Sequence, residues 1–263
     1  MPRLCPLFSG SSGNSYYIGS ATDGILIDAG RSAKQIENAL KENELDIKNV
    51  KAIFVTHEHT DHIQGLRVLA SRHKIKVYSS AGTISALQEK SLINEKVDIS
   101  PITLDGIEAA GMNIVPFRIS HDCREGYGYV VESSDGRKTA FATDTGYISQ
   151  TMKDSLYGCD TVVIESNHDV RMLESGYYPY ILKRRILSDI GHLSNDSCAA
   201  ILTELVKNGT TRFLLAHLSR ENNIPNLALQ TSLSVLQSNG MKQNNDFMIS
   251  VVPVENVSGS VLY

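Results

Sequence analysis

Apolar residues fall along this chain in two rhythms. Short runs at residues 4–8, 15–18 and 24–27 read as strands, with a small polar turn at 9–14 between the first two. Ser32 is placed to cap a helical stretch that runs to about residue 44. Residues 51–55 form a buried-strand pattern. Residues 61–72 predict a helix with Ile63, Leu66, Leu69 and Ala70 on one face. A short strand at 77–78 and a helix over 81–91 follow. The middle is β-rich again at 112–119, 127–133 and 138–142, and Ser134-Asp135-Gly136 turns the last two into a hairpin. The pattern then predicts a strand at 161–165, helices at 180–190 and 195–207, a strand at 212–216, a helix at 227–239, and strands at 247–252 and 258–262. Strands followed by helices, twice over, suit an α/β chain with two sheets packed face to face and helices outside. No repeat, linker or low-complexity tract interrupts it, so residues 1–263 are expected to form one domain.

Composition changes this picture little. With 263 residues, 41% hydrophobic and 21% charged, the chain can bury a core and keep a polar surface. A net charge of −4 argues against a large phosphate-binding footprint. It leaves a nuclease open, because bound cations dominate the local charge at such a site. The cysteines at 5, 123, 159 and 198 form no CxxC pair, which suits a reducing compartment. The first residues lack the apolar core of a secretory signal, and no run approaches a membrane span. The expectation is a cytoplasmic protein, intact from Met1, with no membrane partner; a homo-oligomer is allowed.

The densest chemical signal is His57-Glu58-His59-Thr60-Asp61-His62. Imidazole and carboxylate donors suit zinc, manganese or iron. The segment leaves a strand and enters a helix. His57 and His59, as alternate residues, can face one metal, while Asp61 and His62 at the helix start can face another. A polar turn using its histidines as caps is the structural alternative. His121, Asp144 and His217 also stand where predicted strands end, and loops there are free to carry chemistry. Taken singly, His121 also reads as a buried strand-end histidine and Asp144 as a turn or N-cap residue.

The segment matches the HxHxDH signature, and the chain resembles the metallo-β-lactamase superfamily over nearly its whole length. That resemblance implies an αβ/βα sandwich with the site at one edge. It implies that His57, His59 and His121 hold one metal, that Asp61, His62 and His217 hold a second, and that Asp144 bridges them. Asp28, in LIDAG, then looks like a carboxylate that orients a ligand histidine, or else a plain turn residue before Gly30. Two divalent ions, zinc or manganese with iron allowed, would activate a bridging water and stabilise charge on the attacked group.

A general acid for the leaving group remains useful. Glu165, in VVIESNHD, and His192, in IGHLSND, lie between Asp144 and His217. In the superfamily's tRNA 3′-processing endonucleases a strand-end Glu and a later His in an HST-like motif form such a pair. The resemblance implies His192 as proton donor and Glu165 as its orienting partner, with Asp61 joining them in the catalytic set. Here HLS replaces HST. No long arm for gripping tRNA is evident, which argues against tRNA as substrate. Helix capping by His192 and plain burial of Glu165 are the structural alternatives.

Across FSGSSGNS, THEHTDHIQG, ISHDC, FATDTGYI, ESNHD, GHLSND and AHLSRENN, the chain is similar to the WalJ/YycJ branch of the superfamily. That implies a metal-dependent phosphodiesterase acting on nucleic acid, a DNA exonuclease. The competing class is a thioester, lactone or lactam hydrolase on the same metal core. A non-catalytic metal sensor fits poorly with a complete ligand set. A flavodiiron oxidoreductase would carry Glu at position 59 and a flavin domain.

Several features stay open. The turn at 9–15, with Ser11, Ser12 and Asn14, offers backbone N–H groups to a phosphate or is simply a hairpin turn. The basic cluster at Lys183, Arg184 and Arg185 contacts a nucleic-acid backbone or is a solvated helix face. Tyr177, Tyr178 and Tyr180 stack on bases or pack at a helix entry. Asn167, His168 and Asp169 are near enough in sequence to Glu165 to reach the site.

Overall fold

The computed structural model describes residues 3–255 and 261–262. One sheet runs β1 (Arg3–Phe8), β2 (Ser15–Gly19), β3 (Gly24–Ile27), β4 (Val50–Phe54), β5 (Lys76–Ser79), β6 (Ile99–Pro101), in spatial order, antiparallel up to β3 and parallel beyond. The other runs β7 (Ile107–Ala109), β8 (Met112–Arg118), β9 (Tyr127–Glu132), β10 (Lys138–Ala142), β11 (Thr161–Glu165), β12 (Arg212–Ala216), β13 (Met248–Val251), antiparallel up to β10 and parallel beyond. β14 (Val261–Leu262) pairs antiparallel with β1, so each sheet has seven strands among the described residues. The strand expected at 258–262 is seen only in those two residues; 258–260 lie outside the described residues.

Three buried clusters make four layers. Between the sheets, Tyr16, Ile25, Ile27 and Phe54 meet Ile114, Tyr129, Phe141, Val163 and Leu214. Leu26 faces the other way, onto α1 (Ala33–Glu42), α2 (Thr60–Ile63), α3 (Leu66–His73) and α4 (Ala81–Glu89) through Ile36, Leu40, Ile63, Leu69 and Leu87. The outer face of the second sheet packs on α5 (Gln150–Leu156), α8 (Asn195–Lys207) and α9 (Pro225–Ser238) through Leu156, Leu202 and Leu236. α6 (Val170–Ser175) and α7 (Tyr180–Ile186) lie between β11 and α8 in the chain. The central strands are therefore buried on both faces, which is why they read as continuous apolar runs. Among the described residues, no helix is long and apolar enough to cross a membrane.

The helix expected over 61–72 is two helices, α2 and α3. The Gly65 N–H donates to the Ala29 carbonyl (2.8 Å) instead of to Asp61. The Asp61 carbonyl takes the Asn14 N–H (2.8 Å). Two flanking loops thus consume the pair that would have continued the helix. α7 stops at Ile186, not at 190, because His192 N–H folds back onto the Ile186 carbonyl (3.0 Å). β6 and β7, three residues each and only partly buried, and the short helices α5 and α6 carry no apolar run long enough to predict them.

Candidate metal centre

β3, β4, β8, β10, β11 and β12 all end at the same edge of the sandwich, and each hands the chain to a loop that bears a polar side chain. Cross-sheet bonds close this edge: Tyr129 Oη donates to the Val55 carbonyl (2.7 Å), and the His217 N–H donates to Ser9 Oγ (2.8 Å). Asp28, Asp144 and His217 take left-handed backbone there, with φ of 62°, 57° and 55°.

His57, His59 and His121 bring one donor nitrogen each to within 4.8 Å of one another. His59 occupies the N-cap position of α2, but its side chain makes no cap hydrogen bond. The capping alternative therefore fails, and the ring faces His57, whose Nε2 lies 3.0 Å from His59 Nδ1. His121 Nδ1 donates to the Gly191 carbonyl (3.0 Å), which leaves Nε2 as the inward lone pair. Burial holds His57 well below and His121 below the ordinary histidine range, so both are neutral donors. Glu58 is buried and turns away, accepting the Arg124 N–H (2.9 Å).

Asp61, His62 and His217 form a second trio within the same distance. His62 Nδ1 bonds Asp28 Oδ2 (2.7 Å), and Asp28 also accepts the Thr56 N–H and Oγ1–H, each at 2.8 Å. Asp28 is thus no plain turn residue: it orients His62. Asp144 lies between the trios, with Oδ2 3.3 Å from His62 Nε2, Oδ1 3.9 Å from His121 Nε2 and Oδ1 3.2 Å from His217 Nδ1. Burial disfavours charge on these groups, yet their mutual attraction wins. Asp61 is held low chiefly by His62, and Asp144 well below its usual range by His217 and His62. His62 is raised well above its usual range by Asp144, Asp28 and Asp61, and His217 rises to about 10.

The donor set fits divalent cations. Among the described residues, Asp144 Oδ2 and His217 Nε2 are buried without a hydrogen-bond partner, a costly state that a cation would relieve.

Glu165, fully buried at the end of β11, has two histidine partners. Its Oε1 lies 2.7 Å from His192 Nδ1 and 2.8 Å from His217 Nδ1, and its Oε2 accepts the Thr145 and Leu193 N–H groups (3.0 and 3.1 Å). Sequence reasoning paired Glu165 with His192 alone. Burial raises the Glu165 carboxyl, but His192 and His217 more than offset it and hold it at about 2. Burial lowers His192, and the Glu165 carboxylate outweighs that, so its pKa is raised. His192 does not cap α8; Ser194 does, accepting the Ser197 N–H.

A cleft of about 240 Å³ opens over these groups, lined also by Ser11, Asn167, Tyr178, Leu182, Arg185 and Ser219. Asp122, which the sequence did not single out, also stands at the site. Its Oδ1 lies 3.3 Å from His121 Nε2 and 4.0 Å from His59 Nε2, and Arg185 Nε donates to its Oδ2. Its only local signal was its place in ISHDC.

The basic cluster divides. Lys183 caps the Glu174 and Gly176 carbonyls, Arg184 sits over the Tyr180 ring, and Arg185 pairs with Asp122. Tyr177 and Tyr180 are exposed rather than packed, while Tyr178 lines the cleft. Asn167 braces the His217 carbonyl (2.9 Å), and Asp169 caps α6. His168 is buried, with neither ring nitrogen bonded among the described residues, and burial lowers its pKa to about 4. Asn14 ties the Ser/Gly turn to the site, its Nδ2 donating to Asp61 Oδ2 (3.3 Å) and lying 3.1 Å from His62 Nε2.

A family model described as "Beta-lactamase superfamily domain" matches residues 24–218. The chain is 40% identical over 245 residues to "Exodeoxyribonuclease YycJ" of Bacillus anthracis, covering 92% of each chain. It is 38% identical over 247 residues to "Exodeoxyribonuclease WalJ" of Streptococcus pneumoniae, covering 92% of this chain and 91% of that one. Among solved structures, the metallo-β-lactamase fold protein YhfI from Bacillus subtilis aligns with a TM-score of 0.73 at 15% identity, covering 97% of this chain and 98% of that one.

Proposed function

This chain belongs to the β-lactamase superfamily, and we propose that it is a metal-dependent phosphodiesterase that shortens DNA from an end. The observation that carries phosphodiester chemistry is the His192–Glu165 pair beside the two donor trios. The names of the two exodeoxyribonuclease relatives support DNA as the polymer and an end as the point of attack. On this reading residues 1–263 act as one domain. The four scattered cysteines, with no CxxC pair among them, suit a reducing, cytoplasmic setting.

His57, His59 and His121 would hold one ion, Asp61, His62 and His217 the other, and Asp144 would be shared. Zinc or manganese suits this donor set, and iron is allowed. When bound, the ions supply an activated water and Lewis acidity toward the phosphoryl group. The protein supplies the rest. Asp28 and Glu165 fix His62 and His217 by their Nδ1 atoms, so each presents Nε2 to the cleft. Glu165 likewise turns His192 Nε2 outward, and its carboxylate raises the His192 pKa against the effect of burial, which favours the protonated ring. As the P–O bond to the leaving oxygen breaks, His192 donates that proton to it. An alkoxide is a poor leaving group, so this proton matters most for a nucleic-acid substrate. A thioester or lactam expels an easier one.

The test is an assay on end-labelled single- and double-stranded DNA with zinc and manganese supplied separately. Progressive shortening, abolished by chelator and by His59→Ala, is expected. His192→Ala should keep its metal and slow cleavage about 10²–10⁴-fold. Turnover of thioesters or lactams with none on phosphodiesters would overturn the reading. Equal metal loss in both variants would make His192 a structural residue or a ligand.

A further inference from the structure

The Ser/Gly turn carries a feature that the metal chemistry leaves unexplained. Arg31, three residues beyond Asp28, and Arg220, three beyond His217, both reach Ser12. Nη2 of each donates to Ser12 Oγ at 2.9 Å. Two cations share one neutral acceptor, and among the described residues neither guanidinium has a carboxylate partner: no ion pair involves Arg31 or Arg220. Like charges drawn together without an anion repel each other. Across the cleft Arg185 is already neutralised by Asp122.

Arg31 is built into the fold. Its stem passes Gly13, where a Cβ would meet Arg31 Cδ and Cγ at 2.6 and 2.7 Å and where φ is +151°. Its guanidinium carbon lies 5.5 Å from the Phe8 ring centre, and among the described residues its buried Nε has no hydrogen-bond partner. A held, planar fork with unused donors matches a phosphate. The place is right as well: Ser11 and Ser219, the chain neighbours of Ser12 and Arg220, line the metal cleft.

We propose that Arg31 and Arg220 anchor the phosphate that neighbours the one being cleaved on the same strand, with Ser12 holding the two guanidiniums together. The proposal rests on the phosphodiesterase reading and gives it a substrate of at least two consecutive phosphates. A diester with a single phosphate would miss the anchor.

Two measurements test this on the metal-loaded protein. The first is binding of a fluorescein-labelled, phosphorothioate-linked single-stranded oligodeoxynucleotide across a salt series. The second is kcat/KM on single-stranded DNA set against kcat/KM on bis(p-nitrophenyl) phosphate. Arg31→Ala/Arg220→Ala should weaken binding tenfold or more, and the log–log salt slope should flatten by about 0.7, the value for one phosphate contact on a single strand. Its loss on DNA should exceed its loss on the small diester by tenfold or more. Arg31→Lys should recover part of the binding, since charge returns without the fork.

Unchanged affinity and slope would overturn the anchor. So would an equal fall on both substrates with a lower melting temperature, which would make the arginines a brace for the turn. If the unmodified protein cleaves neither substrate, the phosphodiesterase reading fails instead. The binding series then still decides whether the arginines hold phosphate.

Discussion

Left-handed backbone costs a residue with a Cβ about 1–2 kcal/mol; of the eight described non-glycine residues that adopt it, Asp28, Asp144 and His217 stand together at one edge. Each lies just past a strand end, and the positive φ turns its side chain back over the edge. Such strain persists where the surroundings enforce it, and it clusters at functional sites. Glu165 is the residue on which most depends. Glu165→Gln keeps the size but puts an amide NH₂ among histidine and backbone donors, so one of them loses its acceptor. Metal affinity should fall about 10–100-fold, and turnover should fall further than in His192→Ala. Metal content and kcat measured together check this; full metal affinity with reduced turnover would mean that His217 does not need Glu165. His217 also sets a pH dependence. Raised to about 10, its ring carries two protons at pH 7, and Nε2 must lose one to bind a cation. Metal uptake at pH 7 should therefore release at least one proton, and affinity should climb with pH until about 10. Calorimetry in buffers of different ionisation enthalpy reads the proton count. The donor histidines and Asp144 were legible from their density and strand-end placement. Asp122 and the second partner of Glu165 were not, because they depend on which distant loops meet, and nothing in the local pattern records that.

Elements fix the donors by contact between loops. Gly30 is the tightest point: a Cβ there would sit 1.7 Å from the Asp61 carbonyl oxygen and 2.5 Å from Asn14 N. Gly30→Ala must therefore push the α2 start away from the Ser/Gly turn. Loss of the ion held by Asp61, His62 and His217 is expected before loss of the other. Metal titration should show one weakened and one near-normal site, and two normal sites would show that the turn can yield. The same contacts explain why the helix pattern at 61–72 misled. The amphipathic face was real, with Ile63, Leu66, Leu69 and Ala70 buried, but Asn14 and Ala29 had already taken the backbone groups that would have joined its halves. Strands such as 138–142, 161–165 and 212–216 were fully legible, because burial on both faces leaves an unbroken apolar run. β6 and β7 were not, since three partly buried residues leave no period to detect.

At the scale of the whole molecule, the packing between the sheets supports the site. Phe141 is 2% exposed, with its ring 5.6 Å from Tyr16. Tyr16 Oη donates to Ser9 Oγ (3.0 Å), the same oxygen that accepts the His217 N–H. Phe141→Ala should cost about 3–5 kcal/mol of unfolding free energy, read from urea melts. It should also loosen His217, so metal affinity should drop with stability. A stable variant with weakened metal binding would separate the two effects. Neither donor trio is confined to one sheet: His121 joins His57 and His59, and His217 joins Asp61 and His62. A chain still being synthesised therefore carries HxHxDH long before it can close either trio, and β12 is among the last strands to emerge. On the proposed function, a nascent chain or fragment that lacks His217 holds only the trio of His57, His59 and His121, so two-ion cleavage of DNA waits until β12 has been made and has joined its sheet.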